Sequence, residues 1–265
     1  MSPRYTALMA SLPPLGGLFE AREPAISRLK LQSRLSLLHP EDRRSLDRAT
    51  AILSRSLLPK LGESEDDAPP AARRSSPDSG ADGELLEEVR RFFVEVHQPL
   101  LRQLVSHRLD LRTVVAALRL RHRGQAEPPR SRSWGYGRLV PVIERHWSEP
   151  SLGLAGLCPW IGEVLRLLES DDLIALERQL FSLIWRELDR LGQGHHFDLE
   201  AVAVYLARWS LVERWSNYDS AAAARRFRQL VGDGLGRFSD PATTLVPASM
   251  SASMSTVLPT ASPAA

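Results

Sequence analysis

Apolar residues recur at intervals of three and four along most of this chain, and that interval is the signature of one face of an α-helix. The clearest run is Leu173, Leu176, Leu180, Leu183, Ile184, Leu188 and Leu191, closed by Gly192 and Gly194, residue types that stop helices. Asp171 and Asp172 stand before it, where carboxylates meet the positive end of the helix dipole, with Ser170 as the expected cap. Further on, Asp198 is the expected cap of a second strong segment. There Phe197 and Val202 are spaced as a hydrophobic staple, and Val202, Tyr205, Leu206, Trp209 and Val212 form the stripe.

The pattern repeats upstream. Ile26, Leu29, Leu35 and Leu38, then Leu46, Ile52 and Leu53, predict a helical hairpin broken at His39-Pro40, proline being well tolerated at a helix start. Leu85, Val89, Phe92, Phe93 and Val96 predict a helix over 84–96, after which Pro99 bends or restarts the path. Asp110 is the expected cap of a helix that buries one face, the stripe Leu111, Val114, Val115 and Leu118, with Arg112 and Arg119 off it. Strand-like alternation is confined to Tyr5–Leu12. The expected class is all-α, a bundle of about seven helices with a short extended N-terminal segment.

Composition divides the chain further. Residues 1–58 read as the extended segment and the hairpin, and residues 84–238 as the main helical domain. Between them, 59–83 reads as a flexible linker or insertion, because its Pro, Gly, Ser and acidic residues leave almost nothing to bury. Residues 125–137 read as an ordered loop anchored by Trp134 and Tyr136, and 239–265 as a low-complexity disordered tail. With 43% hydrophobic and 25% charged residues the chain lies outside the range of wholly disordered proteins.

The net charge of +2 does not demand a polyanionic partner, although Lys30 and Lys60 are the only lysines and arginine supplies nearly all the positive charge. One cysteine, Cys158, excludes an internal disulfide and points to a reducing compartment. No secretion signal is read at the N-terminus, and charges interrupt every helical segment before the roughly 18 apolar residues that a membrane span requires.

Sites of chemistry are scarce. There is no GxxxxGK[ST] loop, and Gly232–Gly236 follows no strand, so neither a phosphate cradle nor a dinucleotide fingerprint is expected. His195 and His196 beside Asp198 and Glu200 could be a metal fragment, but no HExxH or paired ExxH motif accompanies them, and a capping or solvated role is expected instead. Cys158, with His146 as a possible base, lacks a local activating group and reads as a packing residue. No catalytic set, metal or cofactor is expected.

Arginine is the strongest electrostatic feature, with Arg102, Arg108, Arg112, Arg119, Arg121, Arg123, Arg130 and Arg132 in one stretch. Helical spacing sets Arg112, Arg119 and Arg123 along one side, and three uses remain open: phosphate binding, docking of an acidic protein, or plain solvated surface. Trp209 is expected in the core. Trp134 and Trp215 stay open between core and interface, where tryptophan and arginine are the enriched types.

Several pieces together resemble a bacterial family that accompanies the V-type, or A/V-type, rotary ATPases and looks like the C component of their central stalk, called d in eukaryotes. They are Tyr5 with Ser11-Leu12-Pro13, Asp110-Leu111-Arg112 with Arg119 and Gly124, Pro159-Trp160-Ile161, Trp185, and the block from Phe197 to Trp215 with Tyr205 and Arg214. The resemblance implies a non-catalytic adaptor seated on the cytoplasmic face of the membrane rotor ring, peripheral to the inner membrane. It would receive the central shaft there and couple it to proton or sodium transport. Its partners would be the central-shaft subunits and the rotor ring, touching the membrane only through them, with no small-molecule substrate and no nucleic acid. Arg112, Arg119, Arg123 and Trp215 are the candidate docking residues. Unlike the three-lobed stalk component, the chain shows no internal repeat. The alternative is a cytoplasmic nucleic-acid-binding or regulatory protein using Arg102 to Arg132.

Overall fold

Pro99 opens a helix that runs without interruption to His122, and several other helices pack against it. The computed structural model describes residues 5–21, 23–55, 78–129 and 134–217, and for 78–82 the backbone alone. These residues form nine helices and no strand, so the class is all-α. In chain order they are α1 (Thr6–Ser11), α2 (Arg28–Leu35), α3 (Pro40–Arg55), α4 (Asp78–Glu95), α5 (Pro99–His122), α6 (Val140–Arg145), α7 (Ile161–Glu169), α8 (Leu173–Gly192) and α9, residues 199–217. No helix among the described residues is long and apolar enough to cross a membrane.

The central helix, α5, meets α3, α6, α7 and α8. Its buried residues include Leu101, Val105, Leu109, Leu111, Val114, Val115, Ala117 and Leu118, which point to more than one side. Asp110 is therefore not a cap. It sits in mid-helix with its carboxylate 3.4 Å from Nε of Arg138, because the apolar pattern continues on both sides of it and the helix gains more by burying both halves than by stopping. Proline at the first turn loses nothing, since its missing N–H would have had no intrahelical partner.

Other boundaries shift for similar local reasons. Tyr5–Leu12 is not a strand: the Met9 N–H donates to the Tyr5 carbonyl at 2.9 Å, closing a helical turn that buries Leu8, and the non-helical stretch follows it. Asp172, not Ser170, caps α8, accepting from the Ala175 N–H at 3.0 Å, while Ser170 closes α7. In α2 the buried residues are Leu31 and Leu35, and Leu29 is 80% exposed. α2 packs with α1, and α3 with α4 and α5. α4 begins at Asp78, inside the segment expected to be linker. The rest of that linker, Arg130, Arg132, the end of the expected helical domain after residue 217 and the tail lie outside the described residues.

The last helix, α9, is more buried than its stripe predicts. Ala201, Ala203, Val204, Ala207 and Leu211 are buried along with Val202, Leu206, Trp209 and Val212. Its small residues let neighbours approach: Leu46 and Ala49 of α3, Leu101 and Leu104 of α5, and Ala203 and Leu206 of α9 leave a void of only about 30 Å³. The N-terminal segment lies against the same helix. The Tyr5 N–H donates to the Phe197 carbonyl at 2.8 Å, the Tyr205 hydroxyl to the Pro13 carbonyl at 2.9 Å, and Trp209 Nε1 to the Ile26 carbonyl at 2.8 Å. Arg28 and Glu213 complete the seam with a two-pronged ion pair.

Candidate partner-docking site

Two helices and a turn build an open cleft of about 510 Å³. α5 contributes His107 and Leu111, which are four residues apart and so share a face. The turn before α7 supplies Pro159 and Trp160, and α8 supplies Gln179, Leu183, Arg186, Glu187 and Arg190. α8 can do this because it is amphipathic: Leu176, Leu180, Ile184, Leu188 and Leu191 are buried, which turns the Gln179-Leu183-Arg186-Arg190 row outward. Leu183 is thereby only half-buried, on the edge of the stripe that the sequence assigned to it.

The charged groups of the cleft act on one another. Arg190 grips Glu187 through two bonds, Nε to Oε2 at 2.9 Å and Nη2 to Oε1 at 2.6 Å, and that grip holds the carboxyl below its ordinary range. Burial lowers the affinity of His107 for a proton, with Glu187 opposing and Arg108 and Arg190 assisting, so the imidazole is neutral at neutral pH. The cleft has an apolar floor of Leu111, Leu183, Pro159 and Trp160 and an arginine rim, and Trp and Arg are types enriched at protein contacts.

The residues singled out from sequence for docking do not assemble there. Trp215 is 8% exposed, its ring edge-on to Phe19 at 5.0 Å and to Phe181 at 6.0 Å, and it belongs to the core. Arg119 is half-buried, with Nη2 in the interior without a hydrogen-bond partner; burial first, then Arg123, lowers its basicity, against Glu177. Arg112 is half-buried, and Arg123 is exposed at the end of α5. Spacing put these three on one side of a helix, but it could not tell how much of that side other helices cover.

The wider arginine stretch is similarly dispersed. Arg102 turns back to cap α4, its Nη1 donating to the carbonyls of Phe93 at 2.5 Å and Val96 at 2.9 Å. Arg108 is 5% exposed, and Arg121 donates to the carbonyls of Glu149 and Pro150 at 2.5 and 3.4 Å. Arg102 and Arg121 are thus tied to backbone carbonyls, and Arg108 is buried.

The remaining candidates lie outside the cleft. His195, Asp198 and Glu200 bring three potential metal-ligand atoms within 4.8 Å of one another. Oδ1 of Asp198 accepts from the Ala201 N–H at 2.9 Å and Oδ2 lies 2.7 Å from His195 Nδ1, so Asp198 caps α9 with His195 beside it. Burial pushes the Cys158 thiol up, and Asp110 adds to this, the opposite of what a nucleophile needs. The loop before α6 is anchored as its aromatics suggest: Trp134 meets Trp147 edge-on at 5.9 Å, and Tyr136 stacks on Phe93 at 6.4 Å.

Fold and cleft together define a class, that of all-α proteins whose helices pack about one central helix and leave a contact-sized groove on its flank. Residues 84–234 match a family described as "Protein of unknown function (DUF2764)". That match covers more than half of the 265 residues, and the chain belongs to this family. No curated protein and no solved structure matches the chain.

Proposed function

We propose that this protein is a non-catalytic adaptor of a V-type or A-type rotary ATPase, a central-stalk component of the C type that couples the shaft to the membrane rotor ring. The observation that carries the reading is the seam between the two ends of the described chain. Tyr5, Pro13 and Ile26 are bonded to Phe197, Tyr205 and Trp209, so pieces on which the resemblance rests are fastened into one body. A coupling element must resist deformation, and densely packed helices with cross-chain hydrogen bonds have that property. The cleft lined by Trp160, Leu183 and Arg186 supplies surface of the kind that such an adaptor needs for its partners.

The test is affinity purification of the tagged full chain from gently solubilised membranes of its own host, with mass spectrometry of what accompanies it. The expected result is co-purification of the shaft and ring proteins of the rotary ATPase, weakened by Leu183→Glu with the fold intact. Recovery of the protein alone, or with nucleic acid and no ATPase component, overturns the reading.

A further inference from the structure

The outward side of α2 carries apolar groups that the fold does not use. Leu31 and Leu35 are its buried residues, with Ile26 before the helix and Leu38 after it also buried. Leu29 is 80% exposed and Leu37 is 57% exposed. One exposed leucine is ordinary, but two within a single short element form a feature. Winding continues past the helix end, since the N–H groups of Leu37 and Leu38 donate to the carbonyls of Arg34 and Leu35, both at 3.1 Å. Leu29, Ser33 and Leu37 therefore follow one another at steps of four, on the side away from Leu31 and Leu35.

Charge borders this stripe. Lys30 and Arg34, again four apart, are exposed, and their side chains have no hydrogen-bond or ion-pair partner among the described residues. No acidic residue lies between Ser27 and Leu38. Arg28, the third cation of α2, is already committed, paired with Glu213 and set over the Trp209 ring at 5.8 Å.

Two protruding leucines beside two free cations complement a surface that is anionic at its face and apolar just beneath, which is the order of groups in an anionic lipid bilayer. A nucleic-acid backbone would engage Lys30 and Arg34 but leave the leucines in water. The centre of a protein contact is built around aromatic anchors, with leucine under-represented, and α2 has no aromatic residue. We propose that α2 is a membrane-surface contact, in which Leu29 and Leu37 enter the headgroup boundary and Lys30 and Arg34 bind anionic headgroups. Its eight residues, about 12 Å long, lie along the surface and do not cross it. This contact does not depend on the adaptor role.

The test is co-sedimentation of the full chain with vesicles of phosphatidylcholine alone and with vesicles that also contain phosphatidylserine, at low and at physiological salt. The wild type should bind the phosphatidylserine vesicles, more strongly at low salt, and should bind the neutral ones far less. Lys30→Gln with Arg34→Gln should weaken partitioning about 25-fold, two steps of about fivefold each. Leu29→Ser with Leu37→Ser should weaken it about tenfold or more. All four positions are exposed, so both double variants should melt with the wild type. Failure of the wild type to bind phosphatidylserine vesicles overturns the proposal, as does equal binding to the two kinds of vesicle. Full binding by the leucine variant means adsorption by charge alone and overturns it too. No ATPase component is present in the assay, so none of these results bears on the adaptor role.

Discussion

Trp209 combines the two demands that a buried indole makes: its ring is 4% exposed, and its N–H finds the Ile26 carbonyl at 2.8 Å. Trp209→Ala should lower unfolding free energy by about 3–5 kcal/mol through the cavity, with the orphaned carbonyl adding to it. Urea denaturation of the two proteins measures this, and equal midpoints would remove the residue from the core. Asp198 works by charge instead. Burial raises its carboxyl, but the bonds from His195 and the Ala201 N–H outweigh burial and hold it below its ordinary 3.8. A carboxyl whose pKa is lower folded than unfolded adds stability above its unfolded pKa and loses that contribution as pH falls through the folded one. Asp198→Ala should thus cost about 1 kcal/mol at neutral pH. Unfolding curves of both proteins between neutrality and the strongly acidic range should converge as the pH drops below 3.8. A gap that stays constant with pH would mean that the carboxylate is not the source.

At the scale of elements, periodicity located α3, α4, α8 and α9 because each has a face that must be covered, and the leucines and aromatics marking that face are dense. It erred where two principles competed. Asp110 carries a capping side chain, yet tertiary burial on both sides of α5 outweighed the local preference. Tyr5–Leu12 is too short for its pattern to choose between helix and strand, and the choice was made by Phe197, some 190 residues away along the chain, through the Tyr5 N–H. The cleft was illegible for a related reason: Leu183 reads as an ordinary helix-face residue and Trp160 as one residue of the Pro159-Trp160-Ile161 piece, and only their juxtaposition with His107 and Arg186 makes a groove. Such long-range bonds can be tested one element at a time. Tyr205→Phe keeps the ring but removes the 2.9 Å bond to the Pro13 carbonyl. It should cost about 0.5–1.5 kcal/mol. Amide exchange should accelerate in the N-terminal segment more than in α5, and uniform exchange changes would argue against a local clasp.

For the whole molecule, the extent of the family match and the extent of the core differ in a way that can be measured. Residues 84–234 contain α5 to α9 and most of α4, but neither the N-terminal segment nor α3. Yet Ile26 satisfies Trp209, Phe19 packs on Trp215, Arg28 pairs with Glu213, and Leu46 and Ala49 fill the space beside Leu101 and Ala203. Cutting the chain at residue 84 would uncover this apolar side of α5 and α9, and a helix bundle stripped of one flank keeps its backbone hydrogen bonds while losing specific packing. A fragment spanning 84–234 should therefore retain a helical far-ultraviolet signal, lose most of the near-ultraviolet signal of its tryptophans, bind the dye ANS and unfold without a sharp transition. Adding a peptide of residues 1–58 should restore the near-ultraviolet signal, because the contacts it supplies are the missing ones. If the fragment unfolds cooperatively at the temperature of the full chain, the matched region is a domain in its own right and the N-terminal segment is an accessory to it.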